Sequence, residues 1–199
     1  MSTYKNSYFD VIILAGGESK RFGEDKCDHE LDCKTFLQRI VDQFANPIIV
    51  TNKKRLTLNK GIQIIDNFRL GPLKGLELGL ELVGAEKFFL TGCDFPFIKY
   101  DLAKYLCDKL DDFDIVLVDN GELQPLLACY KTLFVKEKIR YAKRLLDLVN
   151  LAKRVYIVGT FELKLNGFPL YILKNVNMWT DLEPKNEKIT FSKLLINSP

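Results

Sequence analysis

Residues Leu14 to Lys26, LAGGESKRFGEDK, place two glycines at the end of an apolar run and follow them with interleaved basic and acidic side chains. Ala15, Gly16 and Gly17 carry nothing that would hold a ligand away from the backbone, so amide groups from Leu14 onward can point at it. Arg21 and Lys26 add positive charge on side chains long enough to reach phosphates, Arg as a planar fork and Lys as a point charge. That combination suits the grip of a nucleoside triphosphate. It is not a Walker loop: six positions after Gly17 comes Gly23, then Glu24 and Asp25 in place of Lys and a hydroxyl residue. A dinucleotide-binding GxGxxG is also absent, and an ordinary glycine turn between strand and helix is the plainer alternative.

A second piece of chemistry lies at Thr91-Gly92-Cys93-Asp94-Phe95-Pro96-Phe97. A carboxylate placed directly after an apolar strand can hold Mg²⁺ through oxygen, together with substrate phosphates. Asp94 could instead cap a helix starting after Ile98. Asn52, also after a strand, offers both a donor and an acceptor to a purine, or serves as a turn residue. His29 is the single histidine, which excludes a multi-histidine metal site and a Ser/His/Asp triad without it.

The elements that must position these residues alternate in type. Phe9 to Leu14 reads as a buried strand. A helix from Phe36 to Phe44 follows, with Phe36, Leu37, Ile40, Val41 and Phe44 on one stripe, then strands Pro47 to Thr51 and Ile62 to Ile65. Gly75 to Val83 reads as a helix after a glycine- and proline-rich loop, Lys87 to Thr91 as a strand and Tyr100 to Leu110 as a helix. Strands Asp114 to Val118 and Leu126 to Tyr130, a helix from Thr132 to about Val149, and strands Val155 to Val158 and Leu170 to Leu173 complete the pattern. The expected fold is α/β: one Rossmann-like domain over residues 1–199, with a mixed, mostly parallel sheet flanked by helices. In such sheets ligands collect at the carboxyl ends of strands. Those ends carry the glycine loop, Asn52, Asp66 with the segment Gly71-Pro72-Leu73-Lys74-Gly75, and Asp94.

At 199 residues, 47% hydrophobic and 28% charged, the chain is long enough for one full core. A net charge of +3, with the basic residues spread among nearly as many acids, does not point to nucleic acid and suits a small anion. The five cysteines, Cys27, Cys33, Cys93, Cys107 and Cys129, are odd in number and form no CxxC pair, so neither a disulfide framework nor a zinc site is expected. That expectation implies a reducing compartment. The start MSTYKNSYFD has no apolar signal region and the chain no 18-residue apolar run, giving cytoplasm as the expected location and no membrane contact.

The loop resembles, closely, the signature LAGGxSxRxGxDK of the nucleotidyltransferase group typified by molybdenum cofactor guanylyltransferase. Cys93 to Phe97 is similar to its CDxPF, Gly71 to Gly75 to its GPLxG with Lys74 in place of a small residue, and Gln124 to Tyr130 to its QPLxAxY. Asn175 to Leu182 resembles NxNTPxDL, with Met178 and Trp179 in place of Thr-Pro. The resemblance implies a fold of the nucleotide-diphospho-sugar transferase type. It also implies Asp94 as the magnesium ligand, Arg21, Lys26 and Asp94 as catalytic residues, and Leu14, Ala15, Gly16, Gly17, Lys26, Asn52, Asp66, Gly71, Gly75 and Asp94 around GTP. Gln124, Pro125 and Asn177 would lie on the side of the acceptor, molybdopterin, with Asn177 near the metal and the phosphates, while Asp181 would cap the last helix. GMP would pass from GTP to the terminal phosphate of molybdopterin, with Mg²⁺ as cofactor and transient contact with proteins that deliver or receive the molybdenum cofactor. Open alternatives are a molybdopterin cytidylyltransferase, an adenosylcobinamide-phosphate guanylyltransferase, and a regulatory module that binds nucleotide without turnover.

Overall fold

A computed structural model describes residues 8–16, 25–68, 70–183 and 187–197. Gly17 and Arg21 lie outside the described residues. The strands are β1 (Asp10–Ala15), β2 (Glu30–Leu31), β3 (Lys34–Thr35), β4 (Ile48–Thr51), β5 (Ile62–Ile65), β6 (Lys87–Gly92), β7 (Ile115–Asp119), β8 (Leu123–Lys131), β9 (Arg154–Gly159) and β10 (Lys193–Ile196). The helices are α1 (Phe36–Val41), α2 (Pro72–Leu80), α3 (Tyr100–Asp108), α4 (Thr132–Lys138), α5 (Asp147–Leu151) and α6 (Thr160–Leu165).

β1 sits inside an eight-stranded sheet of order β10-β9-β7-β8-β6-β1-β4-β5 because its side chains are apolar on both faces. Val11, Ile13 and Ala15 join one packed layer with α1, α3 and α6, while Ile12 joins the opposite layer with α2, α4 and α5. β4 and β6 flank β1 in parallel, and β5 extends β4 in parallel. β8 is antiparallel to β6 and β7, β7 and β9 are parallel, and β10 closes the far edge antiparallel to β9. The expected mixed, mostly parallel sheet with flanking helices is the one observed.

Local chemistry sets the starts of the first two helices. Thr35 and Gln38 form a reciprocal capping box at α1, which ends at Val41; i→i+3 bonds from Gln43 and Phe44 then tighten the last turn and keep Phe44 buried. α2 begins at Pro72, the first helical position, after Gly71 at φ +94°, a conformation that favours glycine. A Cβ at Gly79 would lie 2.9 Å from Ile12 Cγ2, so α2 approaches β1 more closely than any side chain would allow. In the β2–β3 hairpin Asp32 and Cys33 adopt φ of 50° and 62°, left-handed values at which glycine is the favoured residue.

Several expected elements differ. The long helix from Thr132 breaks after α4: Ile139–Tyr141 tightens to a 3₁₀ turn, Ala142 is extended, and Asp147 Oδ2 accepts from the amides of Lys143 and Arg144 at 2.9 Å before α5 begins. Leu170–Leu173 is a 3₁₀ turn and not a strand. Leu170, Ile172 and Leu173 point inward, while Tyr171 is exposed. α6 and β10 have no counterpart in the sequence reading.

The cysteines also depart from expectation. Disulfides join Cys27 to Cys93 and Cys107 to Cys129, leaving Cys33 free and exposed. The partners are 66 and 22 residues apart, so no local motif announces them; the sheet brings the segments after β1 and β6 side by side, and α3 over β8. The inference of a reducing compartment from unpaired cysteines loses its premise.

Candidate active site

Lys26 opens a 3₁₀ turn, Lys26–Asp28, whose start is fixed by Asp25: one carboxylate oxygen accepts from the Cys27 amide at 3.1 Å. The turn aims Lys26 inward, where it is 8% exposed. Its ammonium lies 2.6 Å from Asp94 Oδ1 and donates to Asn177 Oδ1 at 3.1 Å. Asp94 sits in a tight turn held by Cys93 N to Leu14 O at 3.3 Å and Phe95 N to Gly92 O at 3.1 Å. It does not cap α3, whose cap position is Lys99 with no side-chain bond.

The third member arrives from the far end of the chain. Val176 N donates to Asp94 O at 2.8 Å, laying residues 175–178 across the end of β6. Asp181 Oδ2 accepts from the amides of Asn177 and Met178, both at 2.8 Å, and Asn177 Nδ2 donates to Asn175 Oδ1 at 2.7 Å. Asp181 therefore caps a 3₁₀ turn, Trp179–Leu182, from inside it, and Asn177 is fixed from both backbone and side chain.

On the β4 side, Gly16 lies beside the start of the β4–β5 connection, since a Cβ there would be 3.8 Å from Asn52 N. Asn52 Oδ1 is buried without a hydrogen-bond partner among the described residues. Such an acceptor is costly unless a donor meets it. Asp66 is buried next to this point: its amide donates to Thr51 O at 2.7 Å and Oδ1 accepts from Phe68 N at 3.1 Å. At Gly75 a Cβ would meet Leu14 Cδ2 at 3.2 Å, so the missing side chain lets α2 pack on β1.

Gly71, Gln124 and Pro125 line one cleft of about 390 Å³ that also takes in Asn175, Lys143 and Arg144. Gln124 is oriented by donation to Asn120 Oδ1 at 2.8 Å, and Asn120 in turn donates to Leu173 O. Lys143, Arg144 and Asn175 were not singled out from sequence. Asn175 is the first asparagine of its own motif and could have been; the basic pair lies in the break between α4 and α5, which the sequence reads as unbroken helix.

Arg55 was missed as well. It is 4% exposed and bonds to Ala15 O, Thr51 Oγ1, Asp25 and Asp28. Lys53 adds contacts to Asp25 at 3.1 Å and Asp28 at 2.6 Å. Burial opposes ionisation of Asp28, but the hydrogen bond from Lys53 and the charges of Arg55 and Lys53 outweigh it and hold the carboxyl below its ordinary range. The same pairing raises Lys53.

Asp94 and Asn177 present hard oxygen donors converging on one point, the Lys26 ammonium, a donor set that fits Mg²⁺. Among the described residues no group of three or more His, Cys, Asp or Glu could hold a metal unaided, so phosphate oxygens would have to complete the shell, as is usual for Mg²⁺. No helix of the described residues is long and apolar enough to cross a membrane.

The sequence model of the MobA-like NTP transferase domain matches residues 11–156. The chain is 30% identical over 195 residues to a molybdenum cofactor guanylyltransferase from Desulfosudis oleivorans, covering 92% of this chain and 96% of that one. In structure it is similar to molybdopterin-guanine dinucleotide biosynthesis protein A from Archaeoglobus fulgidus, with a TM-score of 0.71, 18% identity, and coverage of 87% and 95%. A 2-C-methyl-D-erythritol 4-phosphate cytidylyltransferase from Thermus thermophilus shares the fold at a TM-score of 0.56 and 13% identity, covering 81% and 85%.

Proposed function

This chain belongs to the MobA-like NTP transferase family, and on that premise we propose that it transfers GMP from GTP to the terminal phosphate of molybdopterin, releasing pyrophosphate. The observation that carries the reading is the convergence of Lys26, Asp94 and Asn177, the outer two 151 positions apart, within hydrogen-bond distance at the carboxyl ends of β1 and β6. An oxygen of the acceptor phosphate attacks the α-phosphorus, the bond to the bridging oxygen breaks, and its electron pair leaves with pyrophosphate. The nucleophile is already anionic, so positioning and charge stabilisation carry the rate and no covalent enzyme intermediate is needed.

Asp94, with Asn177 beside it, would hold Mg²⁺, which when bound neutralises phosphate charge. In this reading Lys26 sets a positive charge beside the metal, and the roles of Arg21 and of the Gly16 and Gly17 amides are to neutralise the leaving pyrophosphate. The base is read by Asn52, whose unmet Oδ1 calls for an N–H donor such as those of guanine, with Asp66 alongside. On the acceptor side Gln124, Pro125 and Asn175 form the cleft wall, and Lys143 and Arg144 bring cationic side chains to an anionic acceptor. Residues 1–199 act as one nucleotidyltransferase domain.

Pyrophosphate release with Mg²⁺, GTP and purified molybdopterin tests the assignment, run beside CTP as donor and cobinamide phosphate as acceptor. Release that requires both GTP and molybdopterin is expected. Release only with CTP, or only with cobinamide phosphate, would replace the substrate and leave the transfer chemistry standing.

A further inference from the structure

Arg55 touches none of the residues expected to meet acceptor or metal, yet it is more buried than Lys26. Its Nη2 donates to Ala15 O at 3.1 Å and to Asp25 Oδ2 at 3.0 Å. Those two residues bracket the glycine loop: Ala15 ends β1, and Asp25 is the cap of the turn that carries Lys26. Nε donates to Thr51 Oγ1 at 3.0 Å, at the end of β4, and Nη1 to Asp28. The peptide of Arg55 is itself clamped by the Gln63 side chain of β5, which accepts from Arg55 N at 2.9 Å and donates to Arg55 O at 3.0 Å. A chain of contacts thus runs from the edge strand through one guanidinium to both flanks of the loop, and through Asp25 to Lys26 and Asp94.

We propose that Arg55 is a positioning residue for triphosphate binding, its fork spanning Ala15 and Asp25 so that the end of β1 and the Lys26 turn are held in one geometry. The proposal rests on the reading of the glycine loop as the phosphate grip. A single planar group with donors in fixed directions is what such a span requires, and a lysine ammonium cannot reproduce it. Burying a guanidinium costs desolvation that packing alone would not repay, since apolar replacements of buried ion pairs are often neutral or stabilising. Other acids around Arg55 are satisfied independently of the span: Asp28 is also paired with Lys53, so it serves as a control within the same network.

The test compares Arg55→Gln, Arg55→Lys and Asp28→Asn in the full chain. Binding of Mg²⁺ complexes of inorganic triphosphate and GTP is measured by calorimetry, melting temperature by calorimetric scan, and amide exchange at Ala15, Gly16 and residues 25–28 by mass spectrometry. Arg55→Gln should weaken inorganic triphosphate and GTP alike, by about 10- to 100-fold, the range expected when a phosphate grip is misplaced by roughly an ångström. Arg55→Lys should recover the charge without recovering the affinity, and Asp28→Asn should stay within about twofold of the parent, below the scale of one lost charge-assisted hydrogen bond. Faster exchange at the loop flanks, with β6 amides unchanged, should accompany the loss. Unchanged triphosphate affinity in Arg55→Gln, or full rescue by lysine, overturns the proposal. Because inorganic triphosphate has no base, binding of CTP in place of GTP would sink the guanylyl reading while leaving this test intact. If the parent binds no triphosphate, the functional reading fails separately, and the exchange pattern alone decides whether Arg55 fixes the loop flanks.

Discussion

Two buried-to-half-buried ion clusters, one around Lys26 and one around Glu162, answer the same electrostatic problem in opposite ways. Lys26 draws Asp94 and Asn177 together at the strand ends of the parallel half of the sheet, where their chain neighbours Phe95 and Asn175 line a cleft of about 390 Å³. Glu162, on α6 in the other half, is enclosed: it accepts from Tyr105 Oη at 2.6 Å, Tyr156 Oη at 2.8 Å and Ser192 Oγ, and pairs with Lys109 Nζ at 3.1 Å. The first cluster keeps hydrogen-bonding capacity aimed where a ligand can reach it, and the second spends that capacity inside the fold. An ion pair in a cleft is therefore read by what surrounds it, not by its own short distance.

The largest effect expected of the open cluster is base choice. Cytosine entering a site built for guanine leaves buried polar groups unpaired, a mismatch worth on the order of 10⁴-fold. Calorimetry should show Mg–GTP binding and Mg–CTP and Mg–ATP nearly silent, and Asn52→Ala should weaken GTP far more than inorganic triphosphate. Tighter CTP binding would remove guanine recognition from the Asn52 side of the comparison.

Next in size is Asp94→Asn, which keeps shape but removes the charge facing Lys26 and a hard cation. Turnover should fall by about 10³-fold, the scale of losing one electrostatic contact in the transition state. Glu162→Gln should leave turnover near the parent value. Equal losses in the two variants, measured as steady-state pyrophosphate release, would erase the distinction between a working and a structural cluster.

The disulfides sharpen it further. Chain-entropy reasoning gives about 4 kcal/mol for the 66-residue separation of Cys27–Cys93 and about 3 kcal/mol for the 22 residues of Cys107–Cys129. Serine pairs at either position should lower the urea midpoint accordingly. Only the Cys27/Cys93 pair should also weaken triphosphate binding, because those residues adjoin Lys26 and Asp94, whereas Cys107 and Cys129 are wholly buried between α3 and β8. A weakened affinity in both would mean that general loosening, not tethering of the site, is responsible.

The parallel half was the legible half. β1, β4, β5 and β6 are short apolar runs that end in polar or glycine-rich segments, so strand identity and strand-end chemistry are visible together in Leu14–Gly16, Asn52, Asp66 and Asp94. In the other half, Leu170–Leu173 imitates a strand as a short apolar run, and the break after Lys138 depends on Asp147 reaching back to Lys143 and Arg144, which no periodicity reports. β10 is an edge strand with Leu194 and Ile196 exposed, so its pattern lacks the buried face that marks its neighbours. Gly75 shows a subtler limit: a glycine motif states that a side chain is excluded, not whether ligand or Leu14 excludes it. Arg55 carries no signal at all, since its partners are defined only once β1, β4 and β5 lie side by side.

The smallest expected effect concerns pH and belongs to the enclosed cluster alone. Burial opposes ionisation of Glu162, but hydrogen bonds from Ser192, Tyr105, Tyr156 and Lys109 outweigh it and bring its pKa down to about 2 from the ordinary 4.5. A depressed folded-state pKa adds stability that is fully present above 4.5 and is lost as pH falls toward about 2, because the unfolded chain takes up the proton first. Partial exposure screens the contribution, leaving about 1–2 kcal/mol. Urea midpoints of the parent and Glu162→Gln, taken from pH 6 to pH 2, should differ at the upper end and converge as the carboxyl of the parent protonates. A gap that persists unchanged to pH 2 would show that glutamine loses packing or geometry instead of charge, and the cluster would then owe its strength to shape and not to the ion at its centre.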